Sequence, residues 1–534
     1  MCGSMVGPGR PRHIGRATYR RGGPLMRTIR VAEVLAALSL TTDLATGMDF
    51  EKGLRTCVVA TALARGWSAD PRVVRAVFET ALLRSVGCTS YAPELSELFG
   101  DDVAFQAYLK RLDVGDEVVF ARQLATFGQW AGTASTGLAR TFVDVLPTAG
   151  VQAMRNGCET SRALGVEFGL LPESVAALDD VYERWDGLGI PDGRAGTEVS
   201  AAARIVHVAE QAVLAHAGGG VSAAIDEVSR RSGGHLDPEM AQVFVAGAAS
   251  LLAALNGPDS IAAVLQAEPE PHVTVPFGSV PRLAESLARV VDLKSRWLLG
   301  HSRHVADLAE AAGRVARLEA DELALLRSAA LLHDIGRVGV PAGIWDRPGG
   351  LSLAESEKIR LHTYWTHRIL SRVPALAHLA PIASAHHERG DGHGYHRGDN
   401  ARALPLPARI IGAADMLAAL TEPRAHRPAY PLDEAAALLI RDADDGGVDP
   451  ESARLVIEAM GVRAPRRLLP AGLSEREVQV LRLAARGLQN RQIGTELSIS
   501  PRTVGHHLAH IYDKTGRRTR AGIALFGMDH GLLP

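Results

Sequence analysis

The sequence predicts an all-α protein in which two long helical repeats precede a small C-terminal helix-turn-helix bundle. Three observations predict this fold class. Apolar residues recur at three- and four-residue spacings from about Ile29 onward, as in 31–40 and 323–332. Two distant parts of the chain carry matching motifs, and the last part, from Leu473, has the start and stop signals of short helices.

Length and composition limit what kind of protein this is. A chain of 534 residues is too long for one hydrophobic core, and 46% hydrophobic with 22% charged residues is typical of a globular protein. The net charge of −2 excludes a chain that coats nucleic acid along its whole length, but it allows a local basic module.

Cysteine usage and hydropathy indicate the compartment. None of Cys2, Cys57, Cys88 and Cys158 forms a CxxC motif, which excludes a disulfide framework or a zinc ribbon. The most apolar stretch, 240–255, is shorter than the roughly 20 residues of a membrane span and is rich in alanine and glycine. We therefore expect a buried helix there, no membrane partner and a cytoplasmic protein.

Residues 1–28 carry several arginines among glycines and prolines. A secretory signal would need a continuous apolar stretch after these charges, and there is none. A disordered basic tail is favoured over a DNA-binding arm, and initiation at Met26 is the other alternative.

An internal repeat organises most of the chain. Three pairs of segments match in order: 82–87 with 331–336, 182–193 with 387–398, and 203–210 with 408–415. The sequence therefore predicts two copies of one helical domain, at 29–258 and 283–462. A linker is expected at 259–282, because 267–276 is rich in proline.

The C-terminal module, 471–534, follows a second predicted linker at 463–470. Ser474 and Glu477 form a capping-box pattern, Gly487 ends the first helix, and Ser500-Pro501 is a strong helix start. A helix, a short turn and a second helix form the unit that places its second helix in the major groove of DNA.

This module resembles the LuxR/NarL-type DNA-binding domain through the motifs at 473–477, 490–494, 498–504 and 507–514. The resemblance implies a recognition helix from about Pro501 to Lys514 and DNA as partner, bound by a homodimer. Implied phosphate contacts are Arg491, Arg502, Lys514, Arg517, Arg518 and Arg520, and implied groove contacts are Thr503, His506 and His510. Gly505 departs from the family, which often has lysine there, so base readout is expected to depend on His506 and its neighbours.

The second repeat carries a set of histidines and acids next to apolar helical sequence: His301, His333, Asp334, His362, His386, His387 and Asp415. Several imidazoles on buried helix faces are costly unless they bind something, and a mixed histidine and carboxylate set suits divalent iron, manganese or zinc. Two metals bridged by a carboxylate can activate water for attack on phosphorus. Because adjacent helical residues diverge by roughly 100°, Asp334 fits a bridging role better than a chelate shared with His333.

The pattern resembles the HD-GYP family of HD phosphohydrolases over about 280–461. The matching segments are 300–303, 331–341, 348–352, 386–395 and 414–415. The resemblance implies an all-α fold and two divalent metal ions. One metal would be held by His301, His333, Asp334 and Asp415, and the other by Asp334, His362, His386 and His387. Asp334 and Arg337 would be the catalytic residues.

Three departures from the family shape this expectation. Arg337 replaces the usual lysine, keeping a positive charge toward a phosphate. His396 stands where the family's Gly-Tyr-Pro proline belongs, which weakens specificity for cyclic di-GMP. Trp297 replaces the glutamate of three-metal members, which favours two metals.

The first repeat lacks these ligands. By sequence matching, Leu54 stands for His301, Arg84-Ser85 for His333-Asp334, about Asn156 for His362, Val181-Tyr182 for the paired histidines, and Glu210 for Asp415. This degenerate copy is expected to keep the fold and to serve as support, with ligand sensing and dimerisation as alternatives.

Two functions remain open. The chain is expected to be a transcription regulator whose second repeat is a metal-dependent phosphodiesterase acting on a cyclic dinucleotide or another nucleotide. The alternative is a regulator whose metal site binds its nucleotide without turnover and controls the DNA-binding domain. A scaffold with an adventitious metal is the weakest hypothesis.

Overall fold

The computed structural model describes residues 28–113, 122–123, 144–400, 403–461, 470–530 and 532–533. Within these residues lie 23 α-helices and two short strands, so the prediction of an all-α fold is confirmed. The chain divides into two compact units, Met1–Val462 and Arg463–Pro534. The predicted tail up to residue 27 and the predicted linker from 463 to 469 lie outside the described residues.

The first repeat begins with a strand, Thr28–Arg30, and continues with helices. These helices are Val31–Ala45, Lys52–Trp67, Pro71–Leu83, Ala92–Phe99, Asp102–Leu109, Val151–Glu167, Pro172–Ala177, Ala201–Arg231 and Pro238–Ala253. Local signals set their bounds: Asp70 accepts a hydrogen bond from the Arg72 amide (2.8 Å) and Pro71 takes the first helical position. The helix Ala201–Arg231 breaks at Gly219 and Gly220, whose backbones are not helical.

The second repeat follows the same plan. Its helices are Val280–Asp292, His301–Val315, Ala320–Leu331, Ala342–Trp345, Leu353–Arg372, Ala380–Ala383, Leu406–Thr421, Leu432–Asp444 and Pro450–Ala459. At Gly336 a Cβ would lie 2.1 Å from the His362 carbonyl oxygen, so only glycine allows this close approach of the loop to the helix Leu353–Arg372.

The segment 259–282, expected to be a linker, is folded. It contains the helix Ser260–Ala267 and the strand Thr274–Pro276, which pairs antiparallel with Thr28–Arg30. Ile29 faces Val275 in this register. Each strand precedes the first helix of its own repeat, and proline is tolerated because the two-stranded sheet consists of edge strands. The segment expected to link the repeats therefore carries a helix and a strand of its own.

The two repeats share one hydrophobic core and form one unit. Leu44 of the first repeat packs on Gly339 of the second, where a Cβ would lie 2.6 Å from Leu44 Cγ. Lys294 and Asp102 form an ion pair of 2.5 Å across the interface, and both side chains are fully buried. Removing either partner alone would leave an uncompensated buried charge, which typically destabilises a fold by about 3–5 kcal/mol.

The apolar stretch expected to be a buried helix is a surface helix instead. Met240, Phe244 and Leu252 lie on its buried face, while Gln242, Ala246, Ala249 and Ser250 are exposed on its outer face. Pro238–Asn256 is long and apolar enough to cross a membrane by length and composition, with 28% of its apolar window buried. One such helix is weak evidence for a membrane span, because helices of soluble proteins pass the same test.

The C-terminal unit contains four helices: Glu475–Ala485, Asn490–Glu496, Pro501–Thr515 and Arg520–Asp529. The capping box predicted at Ser474 and Glu477 is present, with the Ser474 amide donating to Glu477 Oε2 (2.7 Å) and the Glu477 amide to Ser474 Oγ (3.2 Å). The turn is tight at Gly494, where a Cβ would lie 2.6 Å from the Ile499 carbonyl oxygen. Its core is a single cluster: Leu473, Val478, Val480, Leu481, Ala484, Ile493, Val504, Leu508, Ile511, Ile523, Phe526 and Leu532.

Candidate metal centre and DNA-binding surface

Five parts of the second repeat bring the histidines and acids together. His301 is the first residue of its helix, and Gly300 enters that helix with a positive φ of 81°. His333 and Asp334 follow directly after the helix Ala320–Leu331, where the chain leaves helical geometry. The others come from the middle of Leu353–Arg372, from the turn after Ala380–Ala383, and from Leu406–Thr421, and they are His362, His386, His387 and Asp415.

Asp334 lies at the centre of this cluster and is fully buried. Its Oδ2 atom is 2.9 Å from His333 Nε2 and 3.7 Å from His301 Nε2. Its Oδ1 atom is 3.2 Å from His362 Nε2 and 3.5 Å from His386 Nε2. The two carboxylate oxygens therefore face two different groups of imidazoles.

The remaining ligand atoms divide in the same way. His301, His333 and Asp415 form one group, and the His301 Nε2 to Asp415 Oδ1 distance is 3.1 Å. His362, His386 and His387 form another. In each group the candidate ligand atoms lie within 4.8 Å of one another. A third set, His333, Asp334 and His386, meets the same limit and joins the two groups at Asp334. The geometry thus brings together the residues that the HD-GYP resemblance implied.

Hydrogen bonds to the backbone orient three of the imidazoles. Each Nδ1 lies at hydrogen-bonding distance from the carbonyl oxygen three residues earlier in the chain. This contact favours the tautomer with its proton on Nδ1, which leaves the Nε2 lone pair free to bind a metal. The pairs are His333 with Ala330 (2.7 Å), His362 with Ile359 (2.6 Å) and His386 with Ala383 (2.8 Å). The Nε2 atoms of all three point toward Asp334.

Glu422 orients the imidazole of His301 and was missed from sequence. Its Oε2 atom is 2.8 Å from His301 Nδ1, and its Oε1 atom is 2.8 Å from His304 Nδ1. Arg424 Nη2 also contacts Glu422 Oε2, at 3.1 Å. A carboxylate behind a metal-binding histidine fixes the ring orientation, and the only sequence signal was an acid just after the helix that carries Asp415.

The electrostatics of the cluster fit a bound cation. Burial lowers the pKa of His333, but Asp334 and Asp415 outweigh burial and raise it to about 10. Burial raises the pKa of Asp334, but Arg337 and His333 hold it well below its usual range. The buried atoms His333 Nε2, Asp334 Oδ1 and Asp334 Oδ2 have no hydrogen-bond partner within the described parts of the chain. This donor set fits divalent metals, which would replace the positive charge that protons otherwise supply.

Arg337 lies beside the cluster and is itself buried. Its Nη2 atom forms an ion pair with Asp334 Oδ2, and its guanidinium lies 4.7 Å from the centre of the Trp345 ring. Arg337 Nε and Nη1 have no hydrogen-bond partner among the described residues. These N–H groups are available to an anion that enters the site.

The cluster opens to solvent beside His387, whose side chain is 28% exposed. The ring of Tyr395 lies 4.7 Å from that of His387, and the Arg360 guanidinium lies 4.9 Å from the Tyr395 ring. His396 lies farther out and accepts a hydrogen bond from Arg397 Nε (3.2 Å).

In the first repeat Lys52, not Leu54, occupies the place of His301. Lys52 is the first residue of its helix and follows Glu51, whose φ is 76°, as His301 follows Gly300. The next residue confirms the match: the Gly53 amide donates to Asp43 Oδ2 (2.9 Å), as the Ser302 amide donates to Asp292 Oδ2 (3.1 Å). The assignment of Leu54 was wrong because sequence matching does not locate the helix start.

A second counterpart also shifts. The Gly87 amide donates to Ser161 Oγ at 3.1 Å, and the Gly336 amide donates to Thr366 Oγ1 at 3.1 Å. This match places Gly157, not Asn156, at the position of His362. The first repeat therefore has a glycine, without a side chain that could bind metal, where the second repeat has the imidazole of His362.

An ion-paired group stands where the first repeat would bind metal. Glu210, the counterpart of Asp415, pairs with both Lys52 and Arg84, and all three are buried. In the parts of the first repeat that the structure describes, no metal-ligand group occurs. In this repeat an ion-paired group therefore lies where the second repeat has its candidate ligands.

Most of the expected DNA contacts are exposed on the C-terminal unit. Arg491, Arg502, Arg517 and Arg518 are exposed and have no carboxylate partner among the described residues. His506 and His510 lie one turn apart on the outer face of Pro501–Thr515 and are also exposed.

Three expected contacts have roles within the bundle. Thr503 is half-buried, and its amide donates to Ser500 Oγ (3.0 Å) at the helix start. Lys514 Nζ binds Glu477 Oε2 at 2.7 Å. Arg520 donates to Asn490 Oδ1 (2.6 Å) and to the Leu488 carbonyl, so it links three parts of the unit.

Comparisons with known proteins match two parts of the chain. A family described as "HD domain" matches residues 285–452, and one described as "Bacterial regulatory proteins, luxR family" matches residues 471–526. The 3'3'-cGAMP-specific phosphodiesterase 3 of Vibrio cholerae is 27% identical over 442 residues, which cover 82% of this chain and 95% of that protein.

Two further relatives match shorter stretches. The 3'3'-cGAMP-specific phosphodiesterase 1 of Vibrio cholerae is 33% identical over 175 residues, which are 33% of this chain and 41% of that protein. A cyclic di-GMP phosphodiesterase of Thermotoga maritima is 43% identical over 112 residues, which are 21% of this chain and 30% of that protein.

One solved structure resembles the chain over most of its length. It is a crystal structure of a cyclic GMP-AMP specific phosphodiesterase of Vibrio cholerae, with a TM-score of 0.57 and 24% identity. The likeness covers 82% of this chain and 99% of that chain. At this identity the likeness shows a shared fold.

Proposed function

We propose that this chain, which joins an HD domain to a LuxR-type DNA-binding domain, is a transcription regulator whose HD domain hydrolyses a cyclic dinucleotide with the help of two divalent metals. Both domains are identified by their family matches, and the chain's relatives are phosphodiesterases. The number of metals, the substrate and the roles of single residues are the parts that this proposal adds.

The observation that carries the proposal is the position of Asp334 between two groups of imidazoles. One oxygen faces His301 and His333, and the other faces His362 and His386. Asp334 would therefore help to hold both metals of a two-metal site, a kind of site that activates water for attack on phosphorus. Asp415 would complete one metal site and His387 the other.

The chain's own residues supply binding and orientation. Divalent metals bound here supply Lewis-acid chemistry toward water and the phosphodiester. Two nitrogens of Arg337, Nε and Nη1, have no hydrogen-bond partner in the described parts of the chain, so they can donate to phosphate oxygens and stabilise the charge that develops there. Glu422 holds His301 in position, and iron, manganese and zinc all suit the ligand set.

The opening beside His387 suits a nucleotide base. Tyr395 and Arg360 form a stacked pair at this opening, and a flat aromatic base can pack on such a pair. The relatives named for 3'3'-cGAMP and for cyclic di-GMP support a cyclic dinucleotide as substrate. His396, in place of the proline usual in the family, favours a substrate other than cyclic di-GMP.

A second candidate function is binding of the nucleotide without turnover. The ion pair between Arg337 and Asp334 favours this alternative, because a bulky guanidinium next to the bridging carboxylate competes with a metal for it. The nucleotide would then bind more tightly to one of two states of the protein, and its binding would favour the state of the DNA-binding domain that belongs to it.

The remaining assignments complete the proposal. Residues 29–258 form the degenerate HD domain, 283–462 the metal domain and 471–534 the DNA-binding domain. A cytoplasmic homodimer that binds two half-sites, without a membrane partner, suits a protein of this kind. Arg491, Arg502, Lys514, Arg517 and Arg518 would contact phosphates, while Thr503, His506 and His510 would face the groove.

The experiment is hydrolysis by the full-length protein loaded with manganese or iron. Separate reactions contain 3'3'-cGAMP or cyclic di-GMP, and Asp334→Asn is compared with Asp307→Asn, an exposed aspartate on the helix His301–Val315. Metal-dependent turnover that is lost only in Asp334→Asn supports the phosphodiesterase. Saturable binding of the nucleotide without turnover supports the sensor, and neither turnover nor binding contradicts both.

A further inference from the structure

A cavity of about 620 Å³ lies in the first repeat. Its wall includes Arg84, Tyr182 and Glu210, the counterparts of His333, His387 and Asp415. The cavity therefore occupies the place in the degenerate repeat that the metal centre occupies in the second repeat. A volume of 300–1,000 Å³ is typical of small-molecule sites.

The wall of this cavity is mostly apolar and aromatic. The residues that form this part are Tyr91, Leu95, Phe99, Phe105, Met154 and Ile190. Neighbouring polar atoms of the wall bind one another, since Tyr182 Oη lies 3.2 Å from Cys88 Sγ and 3.4 Å from Tyr91 Oη. This side of the cavity suits the apolar body of a ligand.

The polar end of the cavity has groups without partners. Gln106 is 3% exposed, and neither its amide nitrogen nor its amide oxygen has a hydrogen-bond partner in the described parts of the chain. A buried amide left unpaired destabilises a fold by about 1–3 kcal/mol, so such a group normally meets a ligand or an ordered water. Gln106 therefore points to an occupant independently of the cavity's volume.

Lys110 gives this polar end a positive charge. It follows Gln106 by one helical turn, lines the cavity, and donates to Ser85 Oγ at 3.1 Å. Among the described residues no carboxylate lies within ion-pair distance of Lys110, whereas Arg84 is neutralised by Glu210. The Lys110 ammonium is therefore available to a negative group of a ligand.

We propose that this cavity binds an amphipathic organic anion. Its apolar body packs on the aromatic wall, and its carboxylate-type head group accepts hydrogen bonds from Lys110 Nζ and Gln106 Nε2. Gln106 Oε1 is left for a ligand hydroxyl or a bound water. A polyphosphate does not suit the site, because most of the wall is apolar and the acids Glu94, Glu183 and Glu210 also line it.

The probe for this proposal is 8-anilinonaphthalene-1-sulfonate, an aromatic anion that fluoresces in apolar sites. The full-length protein is titrated with the probe, and the measured quantity is the fluorescence displaced by sodium dodecanoate. Lys110→Met and Gln106→Leu are compared with Arg111→Met, an exposed cation next in the chain whose side chain binds the Ala107 carbonyl. Ala153→Trp, at the cavity wall, fills the volume with an indole.

We expect one displaceable probe per chain. Lys110→Met and Gln106→Leu should each weaken binding about tenfold or more, as loss of a hydrogen bond to a charged group does. Ala153→Trp should abolish the displaceable signal, and Arg111→Met should bind as the parent protein does. Melting temperatures identify a variant that fails to fold. If one of the three cavity variants fails to fold, the binding of the other two tests the proposal.

The proposal is overturned if dodecanoate displaces no probe, or if all variants bind as the parent does. It is also overturned if 3'3'-cGAMP displaces the probe from this cavity and dodecanoate does not, since the site would then be a nucleotide site. None of these outcomes depends on turnover at the metal centre, because the cavity and the metal centre lie in different repeats.

Discussion

Lys52 in the first repeat stands at the position that His301 holds in the second repeat. Both residues begin their helices after a residue with positive φ, and both reach toward the carboxylate of the helix opposite, Glu210 or Asp415. In one copy this pair belongs to a candidate metal site, and in the other it is a buried ion pair. In the first repeat the fixed charges of Lys52 and Arg84 balance Glu210.

The ion-paired group in the first repeat should contribute strongly to stability. We predict that Glu210→Gln lowers the free energy of unfolding by about 3–5 kcal/mol, because the buried cations Lys52 and Arg84 then lose the carboxylate that they share. Chemical denaturation monitored by circular dichroism measures this change. Lys358→Met, at an exposed lysine, should stay within about 0.5 kcal/mol of the parent, and an equal loss in both variants would refute the assigned role.

A buried histidine makes stability depend on pH. Burial first, and then Arg84, lower the pKa of His207 to about 3, while its Nε2 lies 3.2 Å from the Val181 carbonyl. Because the folded pKa is lower than the unfolded value of about 6.5, its contribution is present above pH 6.5 and is lost as pH falls toward 3. His207→Gln removes this titrating group. We therefore predict that the free energy of unfolding of the variant falls less steeply with pH in this range, by at most about 1.4 kcal/mol per pH unit.

The matched control is His393→Gln, since the His393 side chain is 86% exposed. Unfolding free energies measured at several pH values between 4 and 7 give the slopes. If His207→Gln and His393→Gln change the slope equally, the burial of His207 is not the cause.

Gly505 in the helix Pro501–Thr515 stands where the LuxR family often has a lysine. A Cβ at Gly505 would meet only Asn490 Nδ2, at 3.8 Å, so a side chain fits there without rearrangement. We predict that Gly505→Lys tightens DNA binding and steepens its salt dependence by about one phosphate contact. Gly505→Ala, which adds helix propensity of about 1 kcal/mol without charge, separates the two effects.

Two arginines of the C-terminal unit should behave in opposite ways. Arg502 is exposed without a carboxylate partner among the described residues, whereas Arg520 binds Asn490 and the Leu488 carbonyl. We predict that Arg502→Ala weakens DNA binding on all sequences and lowers the salt slope by about 0.9, with stability unchanged. Arg520→Ala should lower the melting temperature instead, and an unchanged salt slope in Arg502→Ala would argue against a phosphate contact.

Sequence reasoning located the candidate metal cluster because its residues are chemically distinctive. A histidine or an aspartate beside an apolar helical segment is conspicuous, and the structure brings all of those named into one cluster. Glu422 was missed because its role depends on a tertiary contact with His301, and an acid at a helix end is ordinary in sequence. Its importance becomes visible only when the two helices are placed side by side.

The first repeat was harder to interpret for a physical reason. The position of Lys52 is set by a helix start, and that of Gly157 by a close backbone contact. At such positions the residue type differs between the repeats while the backbone geometry is the same. Sequence similarity had fallen too far there to fix the alignment to one residue. The proline-rich stretch 267–276 predicts a linker, yet Thr274–Pro276 forms a strand, because a two-stranded sheet has only edge strands and these tolerate proline.

The most direct test of the central claim is the metal content of the purified full-length protein. Plasma mass spectrometry should find about two iron, manganese or zinc ions per chain in the parent protein and in Asp307→Asn. In Asp334→Asn both metal groups lose their shared carboxylate, and we predict no more than one ion per chain. A parent protein without metal, or Asp334→Asn with two ions, would contradict the account of Asp334 as the bridge of a two-metal centre.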